Sequence, residues 1–183
     1  MQSKLKTTLL MLTAAAGIQA QTIATTGDTL YSAMNKGVGK STDKGNTWVM
    51  TGYTQTPVNC VIVTGGKVYA GTKSGALVSG NGGTNWTKLT GNDVKDSNFV
   101  GFAVDVMLQL RGLTNKSQYV LGTNWIKKTD NISSDTTKKA IIGKSVDFYV
   151  ISETKMYKTD FNANSYIPNF PFNFIHYIQA SRE

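Results

Sequence analysis

Glycoside hydrolysis needs two carboxylates facing one bond. The sequence offers Asp93, Asp96, Asp105, Asp135 and Asp147, with nothing to show which of them meet. Asp105 stands out because it interrupts an apolar run, Val104-Asp105-Val106-Met107-Leu108. The alternation of that run turns Asp105 to solvent or makes it a turn cap. His176 is the single His and lies in an aromatic stretch, Phe170-Pro171-Phe172-Asn173-Phe174-Ile175-His176-Tyr177. No Ser or Cys nucleophile setting accompanies it, so it reads as a surface or packing residue. Cys60 sits among Val58, Val61 and Val63 and reads as a small buried hydrophobe, not a reactive thiol. One Cys and one His make neither an internal disulfide nor a zinc-type ligand set, and no cofactor is expected. Gly80, Gly82 and Gly83 belong to a turn, not to a phosphate-binding loop. Of the 19 basic residues only Arg111 and Arg182 are Arg.

The most regular spacing does a different kind of chemistry. Ser41, Asp43, Gly45 and Trp48 form S-x-D-x-G-x-x-W, and Ser79, Asn81, Gly83 and Trp86 repeat it with Asn for Asp. An Asp or Asn side chain fixes a turn by accepting from backbone amides ahead of it. Gly supplies positive φ, and Trp buries a large ring. Asp43 is therefore a turn-former, not a catalytic acid or metal ligand.

These turns must be held by repeated elements. Residues 27–48 align with 65–86 without a gap at an offset of 38. Residues 119–130 align with 149–160 at an offset of 30, sharing Tyr-Val at the start and Lys-Thr-Asp at the end. Four copies result, marked by Ser41, Ser79, Lys128 and Lys158, with Asp130 and Asp160 as degenerate turn residues. Each copy reads as short strands punctuated by Gly, Asn and Asp. Apolar runs 58–63 and 99–104 add strands buried on both faces. No stretch after the leader reads as a helix. The expectation is an all-β, propeller-like array of about four short antiparallel blades, partly degenerate and incomplete or open.

The two turn motifs resemble the Asp-box, or BNR repeat, of sialidases and many other β-propeller proteins, and the resemblance covers most of residues 25–166. It implies that the boxes sit on the outer rim, away from a binding face. Sialidases of this kind use a Tyr nucleophile with a Glu partner and grip the substrate carboxylate with three Arg. Arg111 and Arg182 cannot assemble that triad, and Glu153 and Glu183 lie in no recognisable setting. The resemblance therefore implies a binding protein without catalytic residues. Tyr53, Trp125 and Tyr166, outside the core of the repeat, are the aromatics expected to contact a glycan or protein ligand. Two alternatives stay open. One is a fragment of a larger glycoside hydrolase, sialidase-like or xyloglucanase-like, whose catalytic groups lie elsewhere. The other is an assembly or scaffold factor like the photosystem II assembly-factor propellers.

Residues 1–20 carry Lys4 and Lys6, an apolar run and an Ala20 cleavage site, the pattern of a secretory signal peptide of a bacterial protein. The apolar run is well short of the ~20 residues a spanning helix needs. A secreted or periplasmic location follows. Losing Lys4 and Lys6 leaves +6 of the formal +8. The scattered Lys, with so little Arg, do not suggest nucleic acid. The organisation expected is 1–20 leader, 21–166 repeats, and 167–183 an aromatic tail or the start of a truncated blade, with oligomerisation as one way to close the array.

Overall fold

The computed structural model describes residues 23–54, 56–91, 94, 97–105, 107–128, 138–144, 147–152, 156–159 and 164–166. The leader at 1–20 and the tail at 167–183 lie outside them. The described residues contain sixteen strands and no helix, so none that could cross a membrane.

Each run of four consecutive strands pairs with itself as an antiparallel meander. Sheet 1 is β1 (Ile23–Thr26), β2 (Thr29–Met34), β3 (Gly37–Ser41) and β4 (Val49–Met50). Sheet 2 is β5 (Val58–Thr64), β6 (Lys67–Thr72), β7 (Gly75–Ser79) and β8 (Thr87–Leu89). Sheet 3 is β9 (Phe99–Val104), β10 (Leu110–Thr114), β11 (Gln118–Leu121) and β12 (Trp125–Lys128). Sheet 4 is β13 (Lys138–Lys144), β14 (Asp147–Ser152), β15 (Met156–Thr159) and β16 (Asn164–Tyr166). The tight connections fall on the expected turn residues, such as Gly27-Asp28 and Gly65-Gly66.

Alternate residues of each strand face opposite neighbours. Tyr31, Ala33 and Val38 of sheet 1 meet Val58, Val61, Val68, Ala70 and Leu77 of sheet 2 in one core. The opposite face of sheet 2, with Cys60, Tyr69 and Ala76, meets Phe99, Leu110, Tyr119 and Trp125 of sheet 3. Ala103 and Leu113 then meet Val150 and Tyr157 of sheet 4. First strands lie along one another in series, β1 with β5, β5 with β9, and β9 with β13. Among the described strands, no pair from sheets 1 and 4 packs in that way.

The strand order changes two equivalences expected from sequence. Tyr119 lies in a third strand, β11, whereas Tyr149 lies in a second strand, β14, so the offset of 30 joins unlike strands. Lys128 ends a fourth strand, which takes Asp130 away from the turn position of Asp43 and Asn81. The turn of sheet 3 is instead Gly122-Thr123-Asn124-Trp125, matching Gly83-Thr84-Asn85-Trp86 with its Ser-x-Asn half shortened away. Asp160 follows β15, a third strand, as Asp43 follows β3. Asp130 and Asp160 themselves are outside the described residues.

Candidate functional site

In the first turn, Ser41 Oγ donates to Asp43 Oδ1 at 2.7 Å and accepts from the Gly45 amide at 2.8 Å. Asp43 Oδ1 also accepts from the Thr47 amide at 2.8 Å, and Oδ2 accepts from the Thr47 hydroxyl at 2.6 Å. The Trp48 indole N–H donates to the Gly45 carbonyl at 3.1 Å. The Thr47 hydroxyl, then the Thr47 amide and the Ser41 hydroxyl, hold the Asp43 carboxyl down at about 2. A carboxylate held so firmly by donors is a poor proton donor near neutral pH.

The second turn repeats the scaffold. Ser79 Oγ donates to Asn81 Oδ1 at 2.9 Å and accepts from the Gly83 amide at 2.8 Å. Asn81 Oδ1 accepts from the Asn85 amide at 2.9 Å, and the Trp86 indole donates to the Gly83 carbonyl at 3.0 Å. Gly45 and Gly83 have φ of 93° and 92°, in the region that favours glycine.

Asp105 is neither solvated nor free for catalysis. It is buried, with Oδ2 accepting from Arg111 Nε at 3.1 Å. Its Oδ1 accepts from the amides of Met107 and Gln109 at 2.8 and 2.9 Å. The turn-capping reading of Asp105 is therefore the one observed, and the solvent-facing one is not. The β9–β10 hairpin makes this pair, and it occupies Arg111 as well as the carboxylate. Burial raises the Cys60 thiol far above its ordinary range, so thiolate chemistry is closed to it. Among the described residues no three His, Cys, Asp or Glu side chains gather where a metal could sit.

Of the aromatics expected at a ligand surface, Trp125 is buried instead. Trp125 is 4% exposed and packs on Phe99 at 5.2 Å and Phe102 at 6.3 Å between centroids. It faces the core between sheets 2 and 3 and offers no surface to a ligand. Among the described residues its indole N–H has no hydrogen-bond partner, unlike those of Trp48 and Trp86. Tyr53 is half-buried, tilted against Trp86 at 6.3 Å, with its hydroxyl bonded to Thr56. Tyr166 ends β16, its backbone paired with Tyr157.

Sequence reasoning did not pick out the turns between second and third strands. These are Asn35-Lys36, Lys73-Ser74 and Asn115-Lys116-Ser117, and each presents an exposed Lys. In sheet 2 the Thr72 hydroxyl donates to the Gly75 carbonyl at 2.9 Å and accepts from the Ser74 amide at 3.1 Å. In sheet 3 the Thr114 hydroxyl does the same with Ser117 and Lys116 at 3.0 and 3.2 Å. The connectors between sheets run past the same end. Tyr53 O accepts from Val38 N at 3.3 Å, Asn98 O from Asn115 N at 3.1 Å, and Asn59 Nδ2 donates to Asn98 Oδ1 at 2.8 Å. Lys36, Lys73 and Lys116 thus line one end of the array. Asp28, Asp43 and Asp105 all lie at the other end, where Lys44 pairs with Asp28 at 3.5 Å. The signal was a Lys in the same inter-strand turn of successive repeats, hidden among the other Lys.

No protein-family model matches the chain, and no curated protein matches it by sequence. Solved structures match it in fold. An ancestral GH74 enzyme aligns with a TM-score of 0.67 at 20% identity, over 79% of this chain and 23% of that one. Virginiamycin B lyase from Staphylococcus aureus aligns with a TM-score of 0.64 at 14% identity, over 85% of this chain and 58% of that one. YCF48 bound to D1 peptide aligns with a TM-score of 0.51 at 12% identity, over 75% of this chain and 48% of that one. The fold is that of a β-propeller array. Each sheet is a blade, and the chain spans about a quarter of the GH74 enzyme and about half of the other two. At these identities the likeness is one of fold alone. Chemically, the described blades offer a lysine-bearing end and a carboxylate-bearing end whose acids are engaged in turns.

Proposed function

We propose that the chain is an exported, non-catalytic Asp-box propeller protein that binds a glycan or protein ligand at its lysine-bearing end. The observation that carries this reading is the repetition of Lys36, Lys73 and Lys116 on three successive turns. Stacked blades set such turns side by side, and repeat proteins bind extended ligands on surfaces of that kind. Lys heads on short turns favour ligands with anionic groups, acidic sugars or acidic peptide segments. The engagement of Asp43 by its own turn and of Asp105 by Arg111 supports a protein without acid–base catalysis. The leader at 1–20 supports export.

Two other readings have specific support. The match to part of a GH74 enzyme favours a hydrolase fragment whose catalytic carboxylates lie on other blades. The match to YCF48, a propeller seen with a peptide, favours an assembly factor that holds a polypeptide. A glycan and acidic-peptide array read beside a glycosidase assay separates the three. Binding should weaken about tenfold or more, and lose most of its salt dependence, when Lys36, Lys73 and Lys116 are all changed to Glu. Substrate turnover by the chain alone would refute the non-catalytic reading. Unaltered binding by the triple variant would refute the choice of this end.

A further inference from the structure

The connectors that run past the lysine-bearing end differ in composition. Residues 51–57, between blades 1 and 2, carry no acid and one aromatic, Tyr53. Residues 90–98 carry Asp93 and Asp96, residues 129–137 carry Asp130 and Asp135, and neither stretch holds an aromatic ring. The junction of blades 1 and 2 thus sets an aromatic between two lysine turns with no carboxylate in the connector that joins them.

Local structure fixes that aromatic beside both turns. Gly37 has φ of 131°, and the Tyr53 carbonyl fills the space where a Cβ of residue 37 would stand. The same carbonyl accepts from the Val38 amide at 3.3 Å. Tyr53 is therefore held against the Asn35-Lys36 turn. The connector then runs through Pro57 into Val58, which pairs with Thr72, and so ends beside the Lys73-Ser74 turn. The Tyr53 hydroxyl is bonded to Thr56, and its half-buried ring is tilted against Trp86. Backbone, ring and hydroxyl are all set before a ligand arrives, which lowers the ordering cost of binding.

The surroundings of the ring indicate a ligand class. With its hydroxyl engaged, Tyr53 offers the apolar part of an aromatic ring. Thr54, Thr56 and Ser74 are exposed, and a hydroxyl both donates and accepts. Lys36 and Lys73 are exposed on the turns to either side. None of the exposed large apolar side chains lies in this connector or in either turn, so an apolar peptide anchor finds no counterpart here. An acidic sugar matches the set: a C–H face for the ring, hydroxyls for hydroxyls and a carboxylate for an ammonium.

We propose that the junction of blades 1 and 2 is a subsite for an acidic glycan, a chain of pyranose sugars bearing uronic carboxylates. The sugar lies on Tyr53, its hydroxyls meet Thr54, Thr56 and Ser74, and its carboxylates meet Lys36 and Lys73. This assignment rests on the choice of the lysine-bearing end and narrows it to two of the three lysines and to glycan over peptide.

The test is calorimetric titration of the whole chain with three probes. These are a hexasaccharide alternating uronate and neutral sugars, the same hexasaccharide with its carboxyls reduced to alcohols, and an acidic peptide. Lys36→Gln and Lys73→Gln should each weaken the acidic hexasaccharide about fivefold, and Lys116→Gln less than about twofold. Tyr53→Leu should weaken it about tenfold, whereas Tyr53→Phe, which keeps the ring, should stay within about twofold. The reduced hexasaccharide should respond to Tyr53→Leu and not to the lysine variants, a split that a general loss of structure does not give. Equal losses at Lys36, Lys73 and Lys116 overturn the subsite and leave the lysine-bearing end as the binding end. So does tighter binding of the acidic peptide that Tyr53→Leu does not alter. Failure to bind any of the three probes, or binding indifferent to all three lysines, overturns the subsite and the choice of that end together.

Discussion

The turns of blades 1 and 2 have the same internal bonding and different surroundings. In both, a buried Ser hydroxyl links the Asp or Asn side chain to a glycine amide, and an indole closes onto the glycine carbonyl. The second turn also docks on blade 1. The Gly83 carbonyl accepts from the Gly52 amide at 2.8 Å, and the Gly82 carbonyl from Lys40 Nζ at 3.2 Å. Trp86 lies against Tyr53. Among the described residues the first turn bonds within its own blade, through Asp28 and Lys44. The motif is therefore a self-sufficient fold element, and its contribution between blades comes from what stands in front of it.

The largest expected effects separate along the tryptophans. Trp125→Ala should destabilise by about 3–5 kcal/mol, as for a fully buried ring. Trp86→Ala should lose about 2 kcal/mol, and Trp48→Ala about 1 kcal/mol, in the order of their contact with the preceding blade. Denaturant midpoints would measure the series. Equal losses at Trp48 and Trp86 would mean that inter-blade packing adds nothing to the turn.

A smaller effect isolates docking from backbone strain. Gly45→Ala and Gly83→Ala both force alanine to φ near 90°, which costs on the order of 1–2 kcal/mol each. At Gly83 the new methyl also stands 2.7 Å from Thr51 Cγ2, whereas at Gly45 the nearest contact is Leu30 Cδ1 at 3.9 Å. Gly83→Ala should thus lose about 1 kcal/mol more in equilibrium unfolding. A difference of zero would show that the two turns are equivalent in the folded chain.

The smallest effect is a matter of pH. The Asp43 carboxyl is lowered from 3.8 to about 2, so the unfolded chain binds more protons between those values. Its stabilisation is complete above the unfolded value and is lost as pH falls through about 2. Asn81 contributes no such slope. Asp43→Asn should lower stability above pH 5, where the stabilisation by the carboxylate is complete, and flatten its acid dependence. An unaltered acid slope, in thermal unfolding between pH 2 and pH 5, would contradict the hydrogen-bond account of Asp43.

Local chemistry was legible in the sequence; phase and pairing were not. Ser41, Asp43, Gly45 and Trp48 act within one turn, so their spacing carries the structure with it. Blade 3 misled because its turn is shorter than the others. With the Ser-x-Asn half gone, shared Tyr-Val and Lys-Thr-Asp residues outweighed Gly122-Thr123-Asn124-Trp125, and Trp125 looked like a free aromatic. Asp105 was open in the sequence between solvent and a turn cap, the two answers to a charge in an apolar run. The turn cap is the one observed, and its ion pair, closed by a hairpin six residues on, depends on register. The lysine end needed the topology, because only strand order shows that Lys36, Lys73 and Lys116 fall in the same inter-strand turn of successive sheets.

The meander of each sheet also bears on how the chain folds. Every strand pairs with its neighbour in sequence, so each blade closes through short loops of low entropic cost. Only the stacking of one blade on the next spans longer distances, and each step needs only the blade before it. Folding can thus proceed as a nearest-neighbour relay, each completed blade serving as the template for the next. A lesion within one blade would stall the relay at that point and leave the earlier blades able to form.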